Sequence, residues 1–179
     1  MKRTLLFALI FLAFTTAGAQ TRYGIKAGGN IASLAGADGV SSKFGFHVGG
    51  VMEFKLSEKF SLQPELLYST QGATSTADSS YKINFNYLNV PIMAKYFLAE
   101  GISLEAGPQV GVAVTLEDSE GTDLELTHEN FDYGLNLGGG YELPSGLFVQ
   151  VRYYLGLMNI SIKEDYMNSV MQFSVGYKF

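Results

Sequence analysis

Apolar and polar side chains alternate at every second position in eight stretches of this chain. They run from Tyr23 to Leu34, Lys43 to Phe54, Phe60 to Ser69, Asn86 to Leu98, Ile102 to Leu116, Asn130 to Glu142, Leu147 to Met158 and Val170 to Phe179. Period two is the signature of an extended strand, whose successive side chains point to opposite faces. No comparable amphipathic helix is visible. The connections alternate in length: Lys55 to Lys59, Ala99 to Gly101 and Leu143 to Gly146 are tight, whereas those around Ala35 to Ser42, Thr70 to Phe85, Glu117 to Glu129 and Asn159 to Ser169 are long. An even number of strands, with short turns on one rim and long loops on the other, predicts an all-β, eight-stranded antiparallel up-and-down transmembrane barrel.

Each stretch has one apolar face and one polar or glycine face. In the sixth, Phe131, Tyr133, Leu135, Leu137 and Tyr141 oppose Asp132, Gly134, Asn136, Gly138, Gly140 and Glu142. The fifth sets Ile102, Leu104, Ala106, Val110, Val112, Val114 and Leu116 against Ser103, Glu105, Gly107, Gln109, Gly111 and Thr115. In the last, Met171, Phe173, Val175, Tyr177 and Phe179 oppose Gln172, Ser174, Gly176 and Lys178. A soluble barrel with an apolar ligand cavity shows the same alternation with the faces exchanged. The polar faces here hold glycine, small residues and isolated charges rather than the dense Lys/Glu coat of a soluble surface, and charged residues total only 16%. The expectation is therefore that the apolar faces meet lipid. Segments of roughly 9 to 13 residues suit the 9 to 11 of a tilted membrane strand, and closure satisfies the backbone groups that lipid cannot. Outward aromatics Tyr23, Phe54, Phe60, Tyr96, Tyr141, Tyr177 and Phe179 gather near the short-turn end, with Phe44, Tyr68 and Phe131 toward the loops. They predict two interfacial girdles.

The N-terminus reads as an export signal. Lys2 and Arg3 precede an apolar run from Leu5 to Phe14, and Ala17-Gly18-Ala19 supplies small residues for cleavage. The predicted cut between Ala19 and Gln20 divides the chain into a signal peptide, 1–19, and a barrel domain, 20–179. The run is shorter than the about 20 residues of a membrane-spanning helix. The absence of cysteine excludes a lipoprotein anchor and disulfides. With 21 Gly, 24 Phe plus Tyr and a net charge of −5, the composition fits many short strands; no basic cluster is available to bind nucleic acid.

Placing the inward faces by their distance from the nearest turn yields a candidate site. Lys26, Glu65, Lys95, Glu105 and Arg152 each lie about four to six residues from the short-turn rim, roughly 10 to 15 Å above it for tilted strands. Eight strands leave an interior just wide enough for side chains. These five, with Gln63, Gln109 and Gln150 nearby, are expected to interlock as an ion-paired layer that fills the barrel and fixes register. A proton or ion relay is the functional alternative.

Other candidates are weaker. His47 falls on an inward face and His128 in a long loop, with no nucleophile beside either in sequence. The loop from Glu117 to Glu125 carries five carboxylates, Glu117, Asp118, Glu120, Asp123 and Glu125. They are either a solvated acidic loop or oxygen ligands for a divalent cation bridging to lipopolysaccharide; an EF-hand register is lacking. Gly138-Gly139-Gly140 lies within a strand with no helix after it, which suits sheet bending rather than phosphate binding. No catalytic residue, cofactor or resident metal is expected.

Several short runs resemble the PorT-like outer-membrane β-barrel family, a group similar in architecture to small OmpX-like barrels. They are Gly24-Ile25-Lys26-Ala27-Gly28-Gly29-Asn30, Leu62-Gln63-Pro64-Glu65-Leu66-Leu67-Tyr68, Tyr87-Leu88-Asn89-Val90-Pro91 with Lys95-Tyr96, Gly107-Pro108-Gln109-Val110-Gly111, Asp132-Tyr133-Gly134, and Arg152-Tyr153-Tyr154 leading to Gly156-Leu157. Where many relatives carry a lysine after the tyrosine of the second run, this chain reads Ser69-Thr70-Gln71-Gly72, so any role of that lysine does not transfer. The resemblance implies the outer membrane of a Gram-negative cell. It also implies contact with lipid and lipopolysaccharide, and recognition of the terminal Tyr177-Lys178-Phe179 by the barrel-assembly machinery. The expected role is a non-enzymatic barrel with four extracellular loops serving adhesion, interaction with an unknown protein partner, or envelope integrity. The alternatives are an accessory part of a secretion or assembly complex, and a lipid-modifying enzyme.

Overall fold

The computed structural model describes residues 21–35, 40–75, 82–117, 131–159 and 167–179. They form eight strands: β1 (Thr21–Ala35), β2 (Val40–Lys55), β3 (Phe60–Ser75), β4 (Lys82–Ala99), β5 (Ile102–Glu117), β6 (Phe131–Glu142), β7 (Leu147–Asn159) and β8 (Met167–Lys178). Each pairs antiparallel with its neighbours in sequence, and β8 returns to pair with β1, closing the barrel. Closure removes the free sheet edges that neither lipid nor a soluble chain tolerates well.

The tight turns are built by backbone chemistry. Leu56 and Ser57 both donate their N–H to the carbonyl of Phe60, at 2.9 and 3.0 Å. Gly101 and Gly146 stand at φ of 77° and 92°, a region open to glycine at little cost. Strands β3 and β4 run further than alternation predicts, to Ser75 and from Lys82 instead of ending at Ser69 and starting at Asn86. Thr70, Gln71, Thr74 and Ser75 are polar on both faces, so they carry no period-two signal, yet the ladder continues from Thr70↔Asn86 to Thr74↔Lys82. On β3 the extension is carried by backbone pairing without side-chain patterning, whereas on β4 Ile83 and Phe85 continue the alternation in the sequence.

The exposure pattern decides the orientation of the wall. Leu135, Val151 and Val175 are 47%, 47% and 56% exposed, whereas Glu105 and Gln172 are each 2% exposed. Apolar side chains thus cover the perimeter and charged ones are enclosed, the reverse of a soluble barrel. The aromatic girdle positions Tyr23, Phe60, Tyr96, Tyr141, Tyr177 and Phe179 face outward at the short-turn end, and Phe44, Tyr68 and Phe131 at the other. A few large apolar side chains, among them Leu67, Met93, Phe148 and Tyr154, point inward and fill space around the charges.

A charge placed on the outer wall should therefore behave as it does in hydrocarbon. Leu135→Arg is expected to lose roughly 2–4 kcal/mol of folding free energy near the midplane, read from urea titration of refolding into phospholipid vesicles. Unchanged stability would contradict the lipid-facing assignment.

Candidate functional site

Inward-facing positions on all eight strands bring the charges together. Arg152, on β7, lies opposite Gly138 on β6, and a Cβ at Gly138 would stand only 2.8 Å from the Arg152 Cγ. The bare backbone lets the arginine stem cross the neighbouring strand. The Arg152 guanidinium then forks onto Glu65, with Nη1 donating to Oε2 at 2.9 Å and Nη2 to Oε1 at 2.6 Å. It also donates from Nε and Nη2 to Glu105 Oε2, at 3.0 and 2.8 Å. Planar bidentate geometry of this kind is among the stronger ion-pair arrangements.

The structure places all five residues of the layer in this one network. Lys26 Nζ lies 2.8 Å from Glu65 Oε2, and Lys95 Nζ 3.3 Å from Glu105 Oε1. Gln63 donates to Glu65 and Gln150 to Glu105, at 2.7 and 3.0 Å. Gln109 stands apart, accepting from Asn136 at 3.1 Å. All five charged residues are at most 4% exposed.

Four further charges escape the sequence reading. Lys95 also reaches Glu53, at 3.3 Å, and Glu53 leads to a cluster at the short-turn mouth. There Lys178 lies between Glu53 and Glu142, 2.8 Å from the latter, and Arg22 pairs with both carboxylates. The Lys178 ammonium also stands 5.0 Å from the centroid of the Phe148 ring, a distance suited to cation–π attraction. Alternation gives Glu142 and Lys178 their inward parity. Near a strand end, however, parity alone does not separate a solvated rim residue from a buried one, and Glu53 and Lys178 are 1% and 3% exposed. Arg22, Lys26, Lys95, Arg152 and Lys178 thus meet Glu53, Glu65, Glu105 and Glu142 in one connected system. Below it the mouth opens into a cavity of about 660 Å³ lined by Arg22, Lys55, Lys59 and Glu142 among others.

Above these ion pairs lies a second polar network, centred on His47. His47 Nδ1 is 2.7 Å from Asn30 Oδ1, and His47 Nε2 is 2.8 Å from Ser174 Oγ. Asn30 Nδ2 faces the carbonyls of Phe46 and Thr70 and the Ser69 hydroxyl, which assigns it as donor and leaves Oδ1 to accept from His47. The hydroxyl of Ser174 then donates to Nε2. This order of groups matches the hydrogen-bond chain of an acyl-transfer site. Here Ser174, His47 and Asn30 are 4%, 1% and 1% exposed, so the serine meets strands β1 and β2 rather than a substrate. The chain continues through Ser69, Gln71 and Asn168 to Asp132.

The predicted cleavage point at Ala19 and Gln20, His128, and Asp118, Glu120, Asp123 and Glu125 of the acidic connection lie outside the described residues. Glu117 is the last residue of β5. Among the described residues no group of three or more His, Cys, Asp or Glu side chains is arranged to hold a metal.

Residues 17–161 match the model of a family described as outer membrane protein beta-barrel domain. No curated protein matches the chain. Among solved structures, the chain is similar to Neisserial surface protein A, at 12% identity and a TM-score of 0.56, covering 89% of this chain and 97% of that one. It is also similar to Ail, the attachment invasion locus protein of Yersinia pestis, in complex with the heparin analogue sucrose octasulfate. That match has 13% identity and a TM-score of 0.54, and covers 89% of this chain and 97% of the other. At such identities the likeness speaks to fold alone.

Removing the arginine would take the bidentate partner from Glu65 and leave each buried carboxylate with a single lysine, Lys26 for Glu65 and Lys95 for Glu105. Arg152→Ala is expected to lose about 3–5 kcal/mol in a urea titration, and Arg152→Lys to recover only part of it, because an ammonium cannot reproduce the fork. Equal stability of all three proteins would show that the network carries no structural weight.

Proposed function

The chain belongs to the outer membrane protein β-barrel domain family, and on that premise we propose that it is a closed, non-enzymatic barrel of the cell outer membrane that presents its four long connections outside for adhesion, interaction or envelope integrity. The observation that carries this reading is the interior itself. A lumen crossed by ion pairs from all eight strands supports a barrel without a through-path for solute. What distinguishes such a barrel to its surroundings is then its outer wall and its loops.

The sign of charge at the loop end narrows the partner. Positions 36–39, 76–81, 118–130 and 160–166 carry nine of the 17 acidic residues, with Lys163 as the lone lysine or arginine among them. Ail is crystallised with a heparin analogue; an acidic loop end disfavours such a polyanion here. It suits basic protein surfaces, or divalent cations shared with lipopolysaccharide phosphates. Recognition by the barrel-assembly machinery is assigned to β8 and the terminal Phe179, by the resemblance of Tyr177-Lys178-Phe179 to such signals.

Planar-bilayer recording of the refolded barrel should show no steady channel current. Pull-down from detergent-solubilised membranes should recover no stoichiometric partner. A steady conductance would overturn the closed interior, and a fixed stoichiometric partner would favour the accessory role in secretion or assembly.

A further inference from the structure

In the loop-end half of the lumen, polar side chains lean over two bare positions of β5 and β6. Gly111 stands between Asn89 of β4 and Asp132 of β6 in one cross-strand row. A Cβ on it would lie 2.3 Å from Asn89 Oδ1 and 3.5 Å from a Tyr87 ring carbon. Gly134 follows Asp132 on the same inward face and pairs with Gln109; its Cβ would lie 2.8 Å from the Tyr154 ring. Asn136 comes next on that face and reaches up to Gln109, donating from Nδ2 at 3.1 Å.

The buried polar atoms left over gather in the same place. Five buried side-chain atoms of the described residues have no hydrogen-bond partner, and four of them are Asp132 Oδ1, Asn136 Oδ1, the Tyr154 hydroxyl and Asn89 Nδ2. All four residues are at most 5% exposed. Such groups have given up water without return, and an orphan in a folded chain calls for a water or an ion. Three of the four are oxygens with lone pairs to give. Asn136 commits its Nδ2 to Gln109, so Oδ1 is its free end. The Tyr154 hydroxyl faces Asp132 without reaching hydrogen-bond geometry.

Charge singles out Asp132. Glu53, Glu65 and Glu105 each meet two or more cations. Asp132 is enclosed to a similar degree, yet among the described residues it makes no ion pair, and its Oδ2 accepts only from Asn168 at 3.3 Å. The side chains that face it, Tyr87 of β4, Tyr154 of β7 and Asn168 of β8, carry no positive charge. Lys43, at the same end of the barrel, goes to the Gln71 carbonyl at 3.5 Å. A charge held out of water must be paired or must coordinate a metal. A water would leave the charge unanswered. A proton on Asp132 would leave the Asn136 oxygen unanswered. One small cation answers the charge and all three oxygens, and hard cations prefer such donors. With a single carboxylate present, a monovalent ion balances the site, whereas a divalent one would leave a positive charge among neutral groups.

We propose that the lumen binds one alkali-metal cation, sodium or potassium, through Asp132 Oδ1, Asn136 Oδ1 and the Tyr154 hydroxyl oxygen, with a water of its shell accepting from Asn89 Nδ2.

The test is urea titration of the full barrel refolded into phosphatidylcholine vesicles, in sodium, potassium or choline chloride at equal ionic strength. Above the dissociation constant, the unfolding constant should fall close to tenfold for each tenfold rise in the preferred alkali ion. Choline should have no such effect. Asp132→Asn should abolish the dependence, and Tyr154→Phe should move it to higher concentration. Asp123→Asn with Glu125→Gln, in the acidic connection, should leave it unchanged. If Asp132→Asn does not give the heat-modifiable folded band, thallium-205 NMR of the parent decides. The thallous ion, an alkali surrogate, should give one slowly exchanging bound resonance that sodium or potassium chloride displaces and that Tyr154→Phe shifts. Equal stability in all three chlorides, a dependence retained in Asp132→Asn, stability that follows pH alone as for a protonated carboxyl group, or no bound thallium resonance would each overturn the assignment.

Discussion

Nine charged side chains gathered inside a wall of eight strands must neutralise one another, because little water remains to do it. That constraint organises the interior. Each carboxylate of the system accepts from at least two cations, and Glu53 from three: Arg22, Lys95 and Lys178. Such sharing offsets a desolvation cost that single pairs often fail to repay. It also dictates where small residues must stand. Gly138 makes way for Arg152, and Gly140, where a Cβ would lie 2.9 Å from Glu105 Oε1, makes way for the carboxylate. The glycine-rich face of β6 is the negative image of the side chains that cross it.

The outer wall answers to a different solvent by the same logic. Backbone groups are tied in a ladder without an edge, and the perimeter offers lipid little but carbon. The inversion of inside and outside is therefore one fact seen from two directions: the groups that hydrocarbon rejects are those that the narrow lumen needs in order to be filled.

Much of this architecture was legible in the sequence because period-two alternation is imposed residue by residue. Where both faces of a strand are polar the signal vanishes, and the extension of β3 through Gln71 and Thr74 was invisible for that reason. The central charges were legible from parity combined with distance to the nearest turn. Glu53, Lys178 and Arg22 were not, since burial at a rim depends on how neighbouring turns close over it. The meeting of Asn30, His47 and Ser174 was hidden for a third reason. Register between β1, β2 and β8 sets it, and no local pattern encodes the register of β8 against β1, so far away in sequence.

The spacing of the paired groups along the chain bears on how the molecule is made. Arg152 and Glu65 are 87 residues apart, and Lys178 and Glu53 are 125 apart. The final ladder bond, from the Phe179 amide to the Tyr23 carbonyl, joins the last residue to the third of β1. Contacts of such long separation form late and slowly. Until β8 arrives, Lys178 has not met Glu53 and Glu142, and a sheet without its closing seam is an open trough whose inner face water still reaches. Zipping the seam and drying the lumen are then a single event, and assembly is committed only when β8 has paired with β1.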